Sequence, residues 1–282
     1  DAIVRGTDAG TYEMQLKSSD FANTNTNFAE VEFEVVGNEL TIAKRTVTLT
    51  SGSDSKAYDG TPLTKNEVTV SGDGFAEGEG ASYNVTGTIT NVGSVKNTFT
   101  YTLNEGTLAD NYNIAPIPGD LTITADENEV VVTIVGNTDN QMYDGKAHTV
   151  TGYEVTNISN SLYTEGDFTF NGNAEITGTD AKTSYMMGLK AGDFTNTNDN
   201  FAKVTFVVTD GSLTITKRTV VMTSGSASRV YNGEPLTNGT VTVSGDGFAE
   251  GEGASYNVTG TITNVGKVDN EFTYKLNANT KA

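Results

Sequence analysis

Residues 68–93, VTVSGDGFAEGEGASYNVTGTITNVG, return without a single change at 241–266, an offset of 173. Nothing else in the sequence constrains the fold as strongly. An exact internal repeat calls for one supersecondary unit formed twice, so the chain is built by adding units rather than around one large core. The same offset relates KRTVTLTSGS at 44–53 to KRTVVMTSGS at 217–226, and DFANTNTNFAEVEF at 20–33 to DFTNTNDNFAKVTF at 193–206. A single indel, near Thr183, interrupts the register.

Two related units alternate within that period. Type B carries KAYDGTPL, TNVGSVKNTFTYTL, DNYNI and GDLTIT; type A carries QMYDGKAH, GTDAKTSYMMGL and GSLTIT. The expected organisation is the C-terminal part of a type A repeat at 1–43, type B at 44–126, type A at 127–216, and type B without its last strands at 217–282. This is the pattern of a window taken from a longer array, and residues 1–20 show no signal-peptide pattern.

The pattern is all-β. VTVSG, YNVTGTI, NTFTYTL, KVTFVV and LTIT alternate apolar residues with Thr or charge, the period of two of half-buried strands. Asp59-Gly60, Asp144-Gly145 and Asn232-Gly233 are tight-turn pairs in which Gly accepts positive φ. About seven short strands in each unit of about 85 residues predict tandem immunoglobulin-like β-sandwich domains. At the junctions the apolar phase flips, from Leu40 and Ile42 to Val47 and Leu49, and from Leu121 and Ile123 to Val130, Val132 and Ile134. A one-residue flip turns the side chains to the other face, so the chain leaves one core and enters the next with almost no linker. Domains arranged end to end as a stiff rod are the expected result.

Charge and composition narrow the function. A formal net charge of −19 and a pI near 4.3 argue against nucleic-acid and anionic-membrane partners. Without cysteine there is neither a disulfide framework nor a Cys-ligated metal site. No apolar run is long enough for a membrane-spanning helix. His148 is the single histidine, and acid pairs mean little in a chain with 36 acidic residues, so the chain does not read as an enzyme.

KAYDGTPLT (56–64), QMYDGKAHT (141–149) and RVYNGEPLT (229–237) each follow a unit's first strand, and the GTDAGTY or NVG turn and the closing LTIT come later in order. In this order of motifs the whole chain resembles the YDG and MBG repeats of bacterial surface proteins. The third YDG departs from the pattern as YNG, and the type A units differ from type B along their middle thirds. The resemblance implies tandem stalk modules of large secreted or cell-wall-anchored adhesin-like proteins. It brings no catalytic residues with it.

Several stretches invite sharper readings. SGDGFAEGEG has neither the lysine nor the spacing of a phosphate loop, and its carboxylates would repel phosphate. Calcium would draw on Asp73, Glu77 and Glu79 and on their copies Asp246, Glu250 and Glu252, but a solvated connection fits better because the glutamates alternate with glycine in no known calcium-loop pattern. Asn23, Asn25 and Asn27 mimic an EF-hand start, yet Phe28 stands where Gly is required, and Glu34 becomes Val207 in the copy. Tyr58, Tyr143 and Tyr231 could stack on sugars, though a tyrosine at one fixed place in each unit more often pins a turn to the core. An isopeptide bond of Lys44 with Asn111 or Asn113 has no counterpart in type A.

The expectation is therefore a structural stalk segment of a bacterial cell-surface adhesin-like protein. It would be extracellular, need no cofactor, and hold a distal binding region away from the envelope, with neighbouring repeats as its main partners. The alternatives are a glycan- or mucin-binding module, contacting host or environmental glycans or proteins, and a self-associating subunit of an extracellular fibre or surface layer.

Overall fold

The structure is a computed structural model and describes residues 3–281. It is all-β: strands and four one-turn 3-10 segments, with no α-helix among the described residues. The chain divides into two compact units. One comprises residues 1–128 with 199–203, the other 129–198 with 204–282. The boundary at Asn128 falls where the apolar phase flips. Leu121 and Ile123 are buried on the first side of it, and Val130, Val132 and Ile134 on the second.

In the first unit, the strand Arg45–Ser51 lies between Val68–Gly72, antiparallel, and Tyr112–Ile117, parallel. Alternation along it turns Val47 and Leu49 inward onto Tyr112, with Phe75, Tyr83 and Phe99 around them. The chain passes Gly52 and continues as Asp54–Ala57, now parallel to Gly119–Thr124, which also pairs with Gly93–Asn97. A second small core of Leu63, Leu121 and Ile123 forms there, covered by Tyr58 and Ile89. Each fully buried Leu or Ile contributes about 1.5–3 kcal/mol.

Residues 45–57 and 112–124 thus change sheets together, and a polar knot marks the crossing. The Gly119 N–H donates to Ser51 Oγ (2.9 Å), and Ser51 Oγ donates to the Asn97 carbonyl (2.5 Å). Asn97 Nδ2 in turn donates to the Gly52 and Lys65 carbonyls, both at 2.8 Å. A Cβ on Gly119 would lie 2.5 Å from the Ser51 carbonyl oxygen, so only glycine permits the approach. Nothing in the alternating pattern marks the crossing, since the pattern continues on both sides of it. Residues 10–42 add the hairpin Gly10–Glu13 with Glu39–Ile42.

The second unit repeats the plan with different side chains. Val130–Gly136 pairs parallel with Val204–Thr209 and antiparallel with Tyr153–Ile158. Val130, Val132 and Ile134 are fully buried, and Phe194 stacks on Phe206 while Phe168 meets both edge-on. The two strands then cross where Gly136 meets Gly211, and a Cβ on Gly136 would lie 2.3 Å from the Gly211 nitrogen. Beyond the crossing, Thr138–Met142 runs parallel to Ser212–Thr216 over a core of Val150, Met187, Leu213 and Ile215. Residues 220–276 form three further strand pairs, Val220–Ser224 with Val241–Gly245, Leu236–Thr237 with Thr261–Ile262, and Ala254–Val258 with Phe272–Leu276.

Candidate functional site

The three YDG-type turns are fixed by the side chain before each glycine. Asp59 Oδ1 accepts the Thr61 N–H (2.9 Å), the Thr61 hydroxyl (2.7 Å) and Lys56 Nζ (2.7 Å). These donors, Lys56 foremost, hold its carboxyl well below the usual carboxylate range. Asp144 accepts the Lys146 N–H and meets His148 Nε2, each at 2.9 Å. The single histidine therefore braces a turn. Asn232 Oδ1 accepts the Glu234 N–H (3.1 Å). Gly60, Gly145 and Gly233 have φ of +77°, +80° and +82°, as the sequence pairs predict. The first two turns set their tyrosines against a core: Tyr58 packs on Leu63, Leu121 and Ile123, and Tyr143 on the Val150 cluster.

Each of those tyrosines also meets a loop from the sequence repeat that follows. Residues 199–203 come from type A sequence but belong to the first unit. Phe201 is 2% exposed and meets the Tyr58 ring edge-on at 5.4 Å. Around it, the Val92 N–H donates to Asn200 Oδ1 (2.7 Å), the Asp126 N–H to the Asn200 carbonyl (2.9 Å), and the Ala202 N–H to the Asp126 carbonyl (2.9 Å). Lys203 Nζ pairs with Glu127 at 3.1 Å. The copy at 193–206 of the Asn-rich stretch that imitates an EF-hand is thus a plug with a phenylalanine tip, whereas Phe28 of the stretch itself is exposed.

In the second unit the contact is polar. The Tyr143 hydroxyl donates to Glu252 Oε1 (2.5 Å), Lys146 Nζ pairs with Glu250 (3.3 Å), and Ala249 beside Gly145 is 4% exposed. Glu252, aided by burial, pushes the Tyr143 phenol up to about 12. Arg218 donates through Nη1 to the Tyr143 carbonyl (3.2 Å), through Nε to the Gly247 carbonyl (2.7 Å), and through Nη2 to the Asp246 carbonyl. Lys281 pairs with Asp180 of the GTDA turn. In the first unit the equivalent turn uses Asp8 and Ala9, whose carboxylate and N–H meet the Asn111 side chain at 3.0 and 2.7 Å. Asn111, one of the two isopeptide candidates, is thereby engaged in hydrogen bonds.

Five of the six acidic residues that calcium would draw on are engaged by other partners. Asp73 Oδ2 accepts both the N–H and the hydroxyl of Thr46 at 2.8 Å, and these bonds, with Arg45 nearby, hold its carboxyl below the usual range. Asp246 repeats the backbone bond with Thr219 (2.8 Å). Glu79 accepts the Tyr112 hydroxyl (2.6 Å), Glu252 that of Tyr143, and Glu250 the Lys146 ammonium. Glu77 is exposed. No group of three or more His, Cys, Asp or Glu among the described residues is placed to hold a metal ion. The glycines have a backbone reason, with φ of +82° at Gly72, +68° at Gly74 and +81° at Gly78.

SGDGFAEGEG is not a purely solvated connection: its second copy packs Ala249 and Glu252 on the preceding YDG turn. The retained N-F-A of the Asn-rich loop, Phe28 and Phe201, was the available signal for the other plug. An apolar residue kept inside a polar loop needs a reason. No known protein family, curated protein or solved structure matches the chain.

Proposed function

We propose that this chain is a stalk segment of a bacterial cell-surface adhesin-like protein, made of immunoglobulin-like modules set end to end that hold a distal binding region away from the envelope. One observation carries the reading: two successive YDG turns are each clamped by a loop of the repeat that follows in sequence, Tyr58 by Phe201 and Tyr143 by Glu252. Direct strand-to-strand connections such as Thr216-Lys217-Arg218, with Arg218 bonding back to the Tyr143 carbonyl, leave little room for a flexible hinge. The acidic surface favours hydration and discourages contact with nucleic acid.

Small-angle X-ray scattering of the 282-residue chain tests this. A rod gives a radius of gyration well above the roughly 19 Å of a compact chain of this length, with a scattering curve that resists salt. A compact particle, or the broad distance distribution of a flexible string, would exclude the stalk.

A further inference from the structure

We propose that Asn232 is a site of self-modification, where the folded turn promotes loss of the side-chain amide and converts YNG to YDG. Of the three turns, Tyr58-Asp59-Gly60 and Tyr143-Asp144-Gly145 already carry the acid, and the third carries the amide. The reaction needs water alone. The Gly233 backbone nitrogen gives up its proton and attacks Asn232 Cγ, the bond from Cγ to Nδ2 breaks, and ammonia leaves. The succinimide ring that remains is opened by water at either carbonyl, giving aspartate or isoaspartate.

The turn supplies what this chemistry requires. The Glu234 N–H donates to Asn232 Oδ1 (3.1 Å), closing a ring of atoms that contains both Cγ and the Gly233 nitrogen. The same N–H faces the oxygen on which negative charge collects during the attack. Gly233 has a φ of +82°, and a Cβ there would meet no atom within 4 Å, so nothing crowds the nucleophile. Arg229 donates to the Glu234 carbonyl, which brings a cation to the turn. The covered turns keep the same features. Asp59 and Asp144 each accept the N–H two residues on at 2.9 Å, and their side chains stay 54% and 38% exposed with Phe201 and Ala249 in place. A Cβ on Gly145 would meet only the Ala249 Cβ, at 3.9 Å. A loop seated on the third turn therefore leaves Asn232 open to water.

The conversion ends at the acid. An ionised carboxylate is a poor acyl acceptor, and Asp59 and Asp144 are both held below the usual carboxylate range, by Lys56 and Thr61 in one turn and by the Lys146 N–H and His148 in the other. Arg229 stands at the place of Lys56, whose Nζ meets Asp59 Oδ1 at 2.7 Å, and is set to pair with the new carboxylate. The other two Asn-Gly pairs lack part of the arrangement. Asn238 Oδ1 accepts the Thr240 N–H (3.0 Å), but the residue is half-buried and its Nδ2, the leaving group, donates to the Ser226 carbonyl (3.1 Å). A Cβ on Gly172 would lie 2.8 Å from the Asp193 carboxyl carbon, so a carboxylate stands beside the anion that attack on Asn171 forms.

Peptide mapping by mass spectrometry tests this, with the full chain held at mildly alkaline pH, folded or in urea. The mass gain of amide becoming acid, and the isoaspartate content, are followed at each Asn-Gly pair. In the folded chain Asn232 should convert first, about fivefold ahead of Asn171, the rate worth of one hydrogen bond. In urea the lead should vanish, because the turn is gone and the dipeptides are alike. Asn232→Asp, an exposed substitution that begins at the end point, should build up no isoaspartate at that position. An Asn232 that stays intact in the folded chain, a lead for Asn171 or Asn238, or the same lead in urea would overturn the inference. Isoaspartate accumulating in Asn232→Asp as fast as in the wild type would overturn it too.

Discussion

The two type B copies share 26 consecutive residues, yet they are buried to different depths. Local structure is the same in both. Val47 and Val220 pair with Gly72 and Gly245, and the hairpins Ala81–Val85 with Phe99–Leu103 and Ala254–Val258 with Phe272–Leu276 keep one register. Asn97 and Asn270 each donate to two equivalent carbonyls at 2.8 Å. Burial diverges. Leu49 and Asn97 are fully buried in the first copy, whereas Met222 and Asn270 are only half-buried in the second. Val92 is 37% exposed and Val265 89%. The first copy has Tyr112–Ile117 and Gly119–Thr124 along its first strand and Phe201 on its turn, and residues 217–281 contain no counterparts. Identical sequence secures turns and pairings; distant partners decide what is buried.

Removing a partner from the first copy should make it resemble the second, and the largest effect belongs to the plug. Phe201→Ala should cost about 3–5 kcal/mol, as expected for a buried Phe. The Val92 and Ala202 amides should lose their protection in hydrogen exchange. Unchanged protection at Val92 would mean that the Asn200 side chain alone closes the turn. Next comes Leu121→Ala, at about 2–5 kcal/mol for a fully buried Leu. It opens the core over Leu63 and should leave Tyr58 nearly as accessible as Tyr231, as read by thermal unfolding and by exchange of the Tyr58 amide, which donates to the Thr124 carbonyl at 2.8 Å.

The smallest effect separates the two kinds of contact. Tyr143→Phe should cost about 1 kcal/mol, the net value of one hydrogen bond, and the aromatic contact at Phe201 should not respond. The raised Tyr143 phenol favours the protonated form in the folded chain. Its stabilisation is complete below the ordinary pKa of 10.0 and is lost as pH rises through about 12. Ultraviolet titration should find this late phenol, and Glu252→Gln should return it toward the ordinary value. Burial also raises the Tyr163 phenol to about 12, so the titration is read on a Tyr163→Phe background, where a late phenol surviving in Glu252→Gln would assign the Tyr143 shift to burial alone. Tyr112 is raised as well, by burial first and Glu79 second, so Glu79→Gln should move it less.

Much of this was legible in the sequence. The β class followed from the alternation of stretches such as LTIT and KVTFVV. The positive-φ glycines at 60, 145 and 233 followed from the residues before them, because an Asx side chain reaching two residues on leaves glycine the next place. Of the two apolar phase flips, the one near Asn128 coincides with a division between units, while the one between Ile42 and Val47 lies inside the first unit. The sites were less legible. Asp73, Glu79 and Glu252 offered carboxylates, and sequence spacing could not say that a strand N–H, the hydroxyl of Tyr112 and that of Tyr143 would take them. Those donors lie 27, 33 and 109 residues away.

By itself, then, the sequence determined the repeat, the strands and the turns. These depend on backbone preference and on neighbours a few residues apart. Only the tertiary structure decided that residues 45–57 and 112–124 change sheets together at Gly119, that Phe201 is an anchor, and that SGDGFAEGEG is a clamp in its second copy. Each depends on groups brought together by chain closure, where a glycine without a Cβ or a phenylalanine without water has meaning only against its partner.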